Sequence, residues 1–345
     1  MRIGIVGAGL AGLTAGRLLA QNGHEVIVLE KSRGYGGRLA TRYFGDNKQI
    51  KLDHGSPLVA PDQADFAAFI DELTAKNILK PWTDSFSFYN EEGMFDEHPS
   101  REKKMVYMAP NGMNKIGEYM SRWVDVRLNT KVSGITMVAP GARKKRPWIL
   151  NMANISVLET DALIIALPAV QAAGLLQTAQ DETPVRSLHM KVSAVQYDPG
   201  FTLMAGFGAH ETPDWKGIAC QHPVLGFISN ESSKRDNKEL TLVVHANKSF
   251  STGHRNTDKD LVRREMITAL GQVLGDWAAM PEWSDIHFWR YAFPSRNIDA
   301  PFLESTQQQA PLAIIGDYFQ GNSMQAAYVS GKKLAEHWLT QFANR

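Results

Sequence analysis

Gly7-Ala8-Gly9-Leu10-Ala11-Gly12 stands between a short β-branched run, Ile3 to Val6, and a helical stretch, Leu10 to Gln21, and few patterns restrict a chain so firmly. The triplet of glycines is a weak signal alone; between a strand and a helix it marks the first crossing of a Rossmann-type βαβ unit. Gly7 permits the tight turn, Gly9 lets a diphosphate approach the backbone, and Gly12 lets helix and strand pack closely. The helix start adds unpaired N–H groups and partial positive charge. Asn22-Gly23 ends the helix with residues that tolerate a left-handed cap, and Val26 to Leu29 is the second strand. Glu30 closes it, 18 positions after Gly12, where a carboxylate accepts both ribose hydroxyls and repels a 2′-phosphate. FAD or NAD is thereby favoured over NADP, with residues 7–12 and Glu30 as its expected contacts.

The next segment separates flavin from nicotinamide. Lys31-Ser32-Arg33-Gly34-Tyr35-Gly36-Gly37-Arg38 follows the ribose carboxylate directly. Its glycine pair lets a second backbone stretch lie against the cofactor, and Arg38 offers a planar fork to phosphate oxygens. A plain NAD dehydrogenase has no need of this stretch; the alternative is an exposed basic loop. No second G-x-G-x-x-G within a βαβ unit is present, which speaks against a separate NADPH domain.

The 345 residues suit two domains. Strand-like runs at Val124 to Leu128, Val132 to Val138 and Asp161 to Leu167 join the N-terminal α/β segment, and Leu312 to Ile315 with the helix from Met324 completes it. The middle carries separate strands at Phe201 to Gly208, Gly226 to Ser229 and Leu240 to Ala246, and an amphipathic helix at Leu261 to Leu274. The expected division is a discontinuous cofactor domain of residues 1–80, 106–168 and 295–345, with residues 81–105 and 169–294 as substrate domain. A net charge of +1 gives no reason to expect a nucleic-acid or acidic-membrane partner. No apolar run approaches the ~18 residues of a membrane span. Cys220 is the only cysteine, which excludes an internal disulfide, a CxxC redox pair and a thiolate metal cage; no metal site is expected. The reading is a cytoplasmic protein with a small-molecule substrate, monomeric or homodimeric.

The segment from Lys31 to Arg38 resembles the GG-doublet signature of the flavin-containing amine oxidases, and most closely that of the renalases; the likeness spans nearly the whole chain. Leu52-Asp53-His54-Gly55-Ser56 resembles the stretch that runs beside the isoalloxazine in this family. Thr130-Lys131-Val132 resembles the strand whose valine backbone reads the adenine. Gly316-Asp317-Tyr318 with Asn322-Ser323-Met324 resembles the second flavin motif, which implies that Asp317 accepts from a ribitol hydroxyl and that the N–H near Met324 faces flavin O2. The resemblance implies FAD contacts at Gly7, Ala8, Gly9, Leu10, Ala11, Gly12, Glu30, Lys31, Gly36, Gly37, Arg38, Gly55, Ser56, Val132, Gly316, Asp317 and Met324. With no cysteine near the C-terminal motif, the FAD is expected to be non-covalent. The implied fold is α/β: a Rossmann-type FAD-binding domain, p-hydroxybenzoate-hydroxylase-like, with a second substrate domain on a mostly antiparallel sheet. His54 and Ser56 depart from the residues that renalases more often carry there, which leaves substrate identity open.

Hydride transfer to a flavin needs mainly orientation and a dry site, so a strong protein base is not required. The candidate catalytic residues are His245 at the end of an apolar strand, His54 in the loop expected beside the flavin, and Trp289 in Trp289-Arg290-Tyr291. Each has a plain alternative: a satisfied core histidine, a loop residue bonded to backbone, a packing aromatic. Lys234 could imitate the lysine that some amine oxidases use near the flavin, but Arg235-Asp236-Asn237-Lys238 beside it reads as a solvated turn. The basic run Arg143-Lys144-Lys145-Arg146 reads as a hairpin tip. The resemblance implies an FAD-dependent oxidoreductase that passes a hydride from a small reduced nitrogen-containing substrate, such as an isomeric dihydro-NAD, to FAD and then to dioxygen. The rivals are an amine or polyamine oxidase or desaturase on the same scaffold, and a binding protein that keeps the fold without redox work.

Overall fold

The computed structural model describes residues 1–343 apart from 62–63, 98–101, 139–145, 180–182, 236, 238 and 306–308. The basic run at 143–145 therefore falls outside the described residues; Arg146 after it pairs with Asp161 at 2.6 Å.

Arg2–Val6 pairs in parallel with Glu25–Leu29 on one side and Ala162–Ile165 on the other. Asp125–Arg127 and Leu312–Ile314 extend the sheet outward, again in parallel, and Leu303–Glu304 adds an antiparallel edge. Every described residue of Ala162–Ile165 is buried, as a strand covered on both faces requires. One face carries helices Leu10–Gln21 and Met324–Phe342, whose Leu13, Leu19, Leu334 and Trp338 are wholly buried; each such side chain stabilises the fold by about 1.5–3 kcal/mol. The other face is roofed by the antiparallel meander Val132–Met137, Trp148–Met152 and Val157–Thr160.

Helices Ala169–Leu176 and Thr183–Ser193 follow Pro168. The sequence division put them with the substrate domain. Their Ala172, Leu176, Leu188 and Val192 instead bury against Val6, Leu29 and Trp148 beneath the parallel sheet, because that face of the sheet is otherwise left partly open by a three-stranded roof.

The second layer is a seven-stranded sheet in the order Trp283–Arg296, Gln196–Gly206, Thr241–Ala246, Leu225–Asn230, Gly217–Cys220, Ser87–Asn90, Gly93–Phe95. All pairings are antiparallel except that of Gly217–Cys220 with Ser87–Asn90. Alternation sorts its faces. Leu203, Leu242, Val244 and Ile228 pack under helix Lys259–Leu274 through Val262, Met266 and Leu270. Met204 and Val243 point the other way and meet Leu52 of the first domain, together with Phe44 and Ile50.

Candidate active site

Three backbone segments converge at the start of the first helix. Gly7 has φ +108°, and a Cβ there would stand 2.5 Å from the Ala166 carbonyl oxygen; a Cβ on Gly12 would stand 2.3 Å from that of Gly7. These two glycines are needed by the fold itself. Gly9 is different: its backbone is extended, φ −74° and ψ 173°, and an added Cβ would meet nothing within 4 Å. It borders open space. Gly36 lies beside it, bridging in parallel, with its N–H donating to the Ala8 carbonyl at 2.8 Å. The Glu30 carboxylate is buried and accepts from the N–H of Ala8 at 2.9 Å and of Ser32 at 2.8 Å. Thr130 N–H donates to the Glu30 carbonyl at 2.8 Å, and Val132, two residues on, begins the strand Val132–Met137 and pairs with Met152. Lys31 is exposed and reaches Gln171.

Further along the same groove, Arg38 does not stand free. Its Nη2 is 2.6 Å from Asp317 Oδ1, and its Nη1 donates to the Ala292 carbonyl at 2.9 Å. A bulge frees that carbonyl: between Asp198 and Gly200 one strand advances two residues while its partner advances four, from Phe293 to Trp289. Gly316 N–H donates to Ser330 Oγ at 3.2 Å, and Ser323 caps helix Met324–Phe342 by accepting from Ala326 N–H, so that Met324 begins the helix.

The turn His54-Gly55-Ser56-Pro57 lies between the groove and the second sheet. A Cβ on Gly55 would be 2.0 Å from the Arg38 carbonyl. Gly55 N–H donates to Ala40 O and Ser56 N–H to Arg38 O, so neither amide is free to donate elsewhere. The His54 carbonyl accepts from Trp289 Nε1 at 3.1 Å, and the two rings stack with centroids 5.2 Å apart. His287 closes the group edge-on, 5.0 Å from His54 and 4.3 Å from Trp289.

His245 joins from the neighbouring strand. Thr202 sits opposite both His245 and His287 across the sheet, and its Oγ1 is 3.3 Å from His245 Nδ1. The sequence candidates His54, His245 and Trp289 are thus brought to one floor. His287 and Thr202 were missed. The signal for His287 was available, since it precedes Trp289 by two positions on one strand and must share its face. Burial, first of all, pushes the His54 imidazole down to about 3, with His287 and Arg42 adding repulsion. His245 falls to about 4 through burial and then Lys234, and His287 to about 4 through burial and then Arg42. His54 Nδ1 and His245 Nε2 are buried without a partner.

Lys234 overturns the solvated-turn expectation. Its side chain is 0% exposed, with Nζ 2.7 Å from the Pro57 carbonyl, 2.5 Å from Glu231 and 3.7 Å from Asp53, and 4.7 Å above the Trp82 ring. An ammonium has three protons to donate, and these partners surround it. Arg235 bridges Asp53 and Glu231. The carboxylates that call both cations inward lie partly across the chain, where local polarity gives no hint of them.

A model of flavin containing amine oxidoreductases matches residues 94–338, and one of NAD(P)-binding Rossmann-like domains matches residues 5–73. The chain belongs to the flavin containing amine oxidoreductase family. An L-amino acid oxidase of Cerastes cerastes is 58% identical over 62 residues, 18% of this chain and 12% of that enzyme. A putrescine oxidase of Kocuria rosea is 32% identical over 108 residues, 31% of this chain and 18% of the enzyme. The chain therefore spans less than a fifth of the length of these curated relatives. A putrescine oxidase solved with putrescine bound superposes over 99% of both chains with TM-score 0.73 at 14% identity, which extends the shared fold to the whole molecule.

A family member of this kind works with a flavin, and the groove fits one: open space at Gly9, a second glycine segment beside it and a buried carboxylate, Glu30, at the end of the second strand. Among the described residues no group of three or more His, Cys, Asp or Glu side chains could hold a metal ion, and no helix is long and apolar enough to cross a membrane.

Proposed function

We propose that this protein holds FAD non-covalently in the glycine groove and oxidises a small reduced nitrogen-containing molecule, an isomeric dihydro-NAD being the leading candidate, with dioxygen as final acceptor. The observation that carries the reading is the pairing of Gly9 with Gly36 beside open space, with Glu30 buried at the end of the second strand. Bound flavin supplies the acceptor for a hydride. The protein's part is orientation and exclusion of water. Glu30 would hold the ribose, the first turn of helix Leu10–Gln21 the diphosphate, and Asp317, steadied by Arg38, the ribitol. Non-covalent attachment is supported by the place of Cys220, on strand Gly217–Cys220 of the second sheet; burial pushes its thiol up to about 12.

The floor favours a neutral or anionic substrate over a polycation. His54, His245 and His287 are neutral at ordinary pH, and the nearby carboxylates of Asp53 and Glu231 are already matched by Lys234 and Arg235. A protonated diamine would find little negative charge there. The likeness to putrescine and L-amino acid oxidases keeps amine oxidation as the second reading. We further propose a cofactor domain that includes helices Ala169–Leu176 and Thr183–Ser193, and residence in a reducing cytoplasm.

Purified protein reconstituted with FAD and mixed anaerobically with 2- or 6-dihydro-NAD loses its yellow colour faster than with ordinary NADH. Equal rates remove the dihydro-NAD assignment, and bleaching by putrescine or an L-amino acid instead establishes the second reading. A protein that cannot be made yellow removes both and leaves a binding module.

A further inference from the structure

Asp53, Glu231, Lys234 and Arg235 form a buried cluster of two carboxylates and two cations, all side chains 5% exposed or less. Burying four charges is not a route to stability, because apolar replacements of similar volume are often neutral or better. What the cluster does hold is backbone. Arg235 donates to the carbonyls of Lys51 at 3.0 Å and Ala109 at 3.1 Å. Asp53 accepts from Met113 N–H at 2.9 Å and Thr41 Oγ1 at 2.8 Å, and its own N–H donates to Glu231 Oε2 at 3.1 Å. Ser229 Oγ donates to Glu231 Oε1 at 2.7 Å.

The second sheet grips the turn His54-Gly55-Ser56-Pro57 at both ends. Trp289 Nε1 donates to the carbonyl at its start, and Lys234 Nζ donates to the carbonyl at its end. Between these grips, the amides of Gly55 and Ser56 are tied to Ala40 and Arg38 of the glycine segment. The turn is thereby held through the carbonyls at its two ends and the two amides between them. We infer that Lys234, backed by Glu231, is a positioning residue that sets the height of the His54–Pro57 turn against the flavin, and so fixes the distance between the cofactor and the floor of His54, His245 and Trp289. Glu231 suits this work: burial opposes its charge, yet Lys234 and Arg235 hold its carboxyl down to about 2. A lysine so enclosed orients the site without touching the substrate.

The inference rests on FAD occupying the groove. The test uses FAD-loaded wild type, Lys234→Met and the charge-balanced double variant Glu231→Gln/Lys234→Met, which leaves Asp53 paired with Arg235 and is expected to fold where the single variant, with a carboxylate left over, does not. Uptake of FAD, thermal midpoint, visible circular dichroism of the bound flavin, and anaerobic bleaching by 6-dihydro-NAD or putrescine, whichever reduces the wild type, are recorded. The double variant is expected to bind FAD as the wild type does, to show an altered flavin circular dichroism, and to bleach about 10–100-fold more slowly, the scale of a misplacement near 1 Å. Wild-type dichroism in a yellow double variant, with or without a change in midpoint, overturns the positioning role alone. A wild type that takes up no FAD overturns the reading beneath it as well.

Discussion

Arg38 and Asp317 stand 279 positions apart in the chain and 2.6 Å apart in space. Arg38 belongs to the second glycine segment and Asp317 to the exit of the last parallel strand, so their contact closes the far end of the groove. Burial alone would lower the Arg38 pKa, but Asp317 and the nearby tyrosines raise it above its ordinary value.

Asp317→Ala leaves Arg38 with the bulge carbonyls alone. The Arg38 side chain is one-third exposed, so water replaces part of the loss and stability falls by only about 1 kcal/mol. On the proposed placement, FAD loses both an acceptor and the order that the pair imposes. Its dissociation constant rises about tenfold, measured by quenching of flavin fluorescence on titration of apoprotein. Affinity equal to that of the wild type would remove Asp317 from the cofactor site.

Glu30→Ala strands two backbone donors, those of Ala8 and Ser32, and removes the proposed ribose acceptor. Each unsatisfied buried group costs about 1–3 kcal/mol. The apoprotein therefore unfolds at lower denaturant concentration and FAD binds at least about tenfold more weakly. Glu30→Gln keeps one acceptor and falls between. Calorimetric titration with FAD orders the three proteins; Glu30→Ala binding like the wild type would sink the ribose assignment.

What was legible from sequence was whatever sterics write into consecutive residues. Gly7, Gly9 and Gly12 are constrained by one turn and one helix, and Glu30 by the strand that follows, so their roles could be argued locally. His245, His54 and Trp289 were legible as types of residue on identifiable elements, and the sheet brought them together. Lys234 and Arg235 were not, because Ser232 to Asn237 has the composition of a solvated turn and the carboxylate that buries Arg235, Asp53, is 182 positions away. The place of the helices after Pro168 is illegible for a related reason: their apolar faces fit either sheet, and only packing decides.

The glycines of the first turn should separate stability from binding. Gly12→Ala drives a Cβ into the Gly7 carbonyl and lowers the thermal midpoint. Gly9→Ala meets no atom within 4 Å and has φ −74°, so the backbone admits it and the unfolded chain loses entropy. Loss of glycine at the helix N-cap offsets that gain, so stability stays within about 1 kcal/mol of the wild type, while on the proposed placement the methyl stands in the path of the diphosphate and FAD uptake falls. Gly9→Ala protein that is about as stable as the wild type yet colourless is the expected result; a variant that binds FAD normally would show that the diphosphate lies elsewhere.

Acid should loosen the fold before it titrates the buried carboxylate. In the unfolded chain an imidazole titrates near 6.5, about the ordinary value, whereas His245 and His287 are held to about 4 and His54 to about 3 in the folded protein. Between those values the unfolded chain binds more protons, so stability is complete above about pH 6.5 and is lost as pH falls toward 4. Glu231, held to about 2 against an ordinary 4.5, contributes stability that is complete above about pH 4.5 and lost as pH falls from there toward 2. Thermal midpoints measured from pH 8 to pH 4 should decline through the histidine window, and His245→Gln should shallow that decline. A midpoint that is flat from pH 7 to pH 4.5 would mean that these imidazoles are not held neutral, and with them would go the uncharged floor on which a neutral substrate depends.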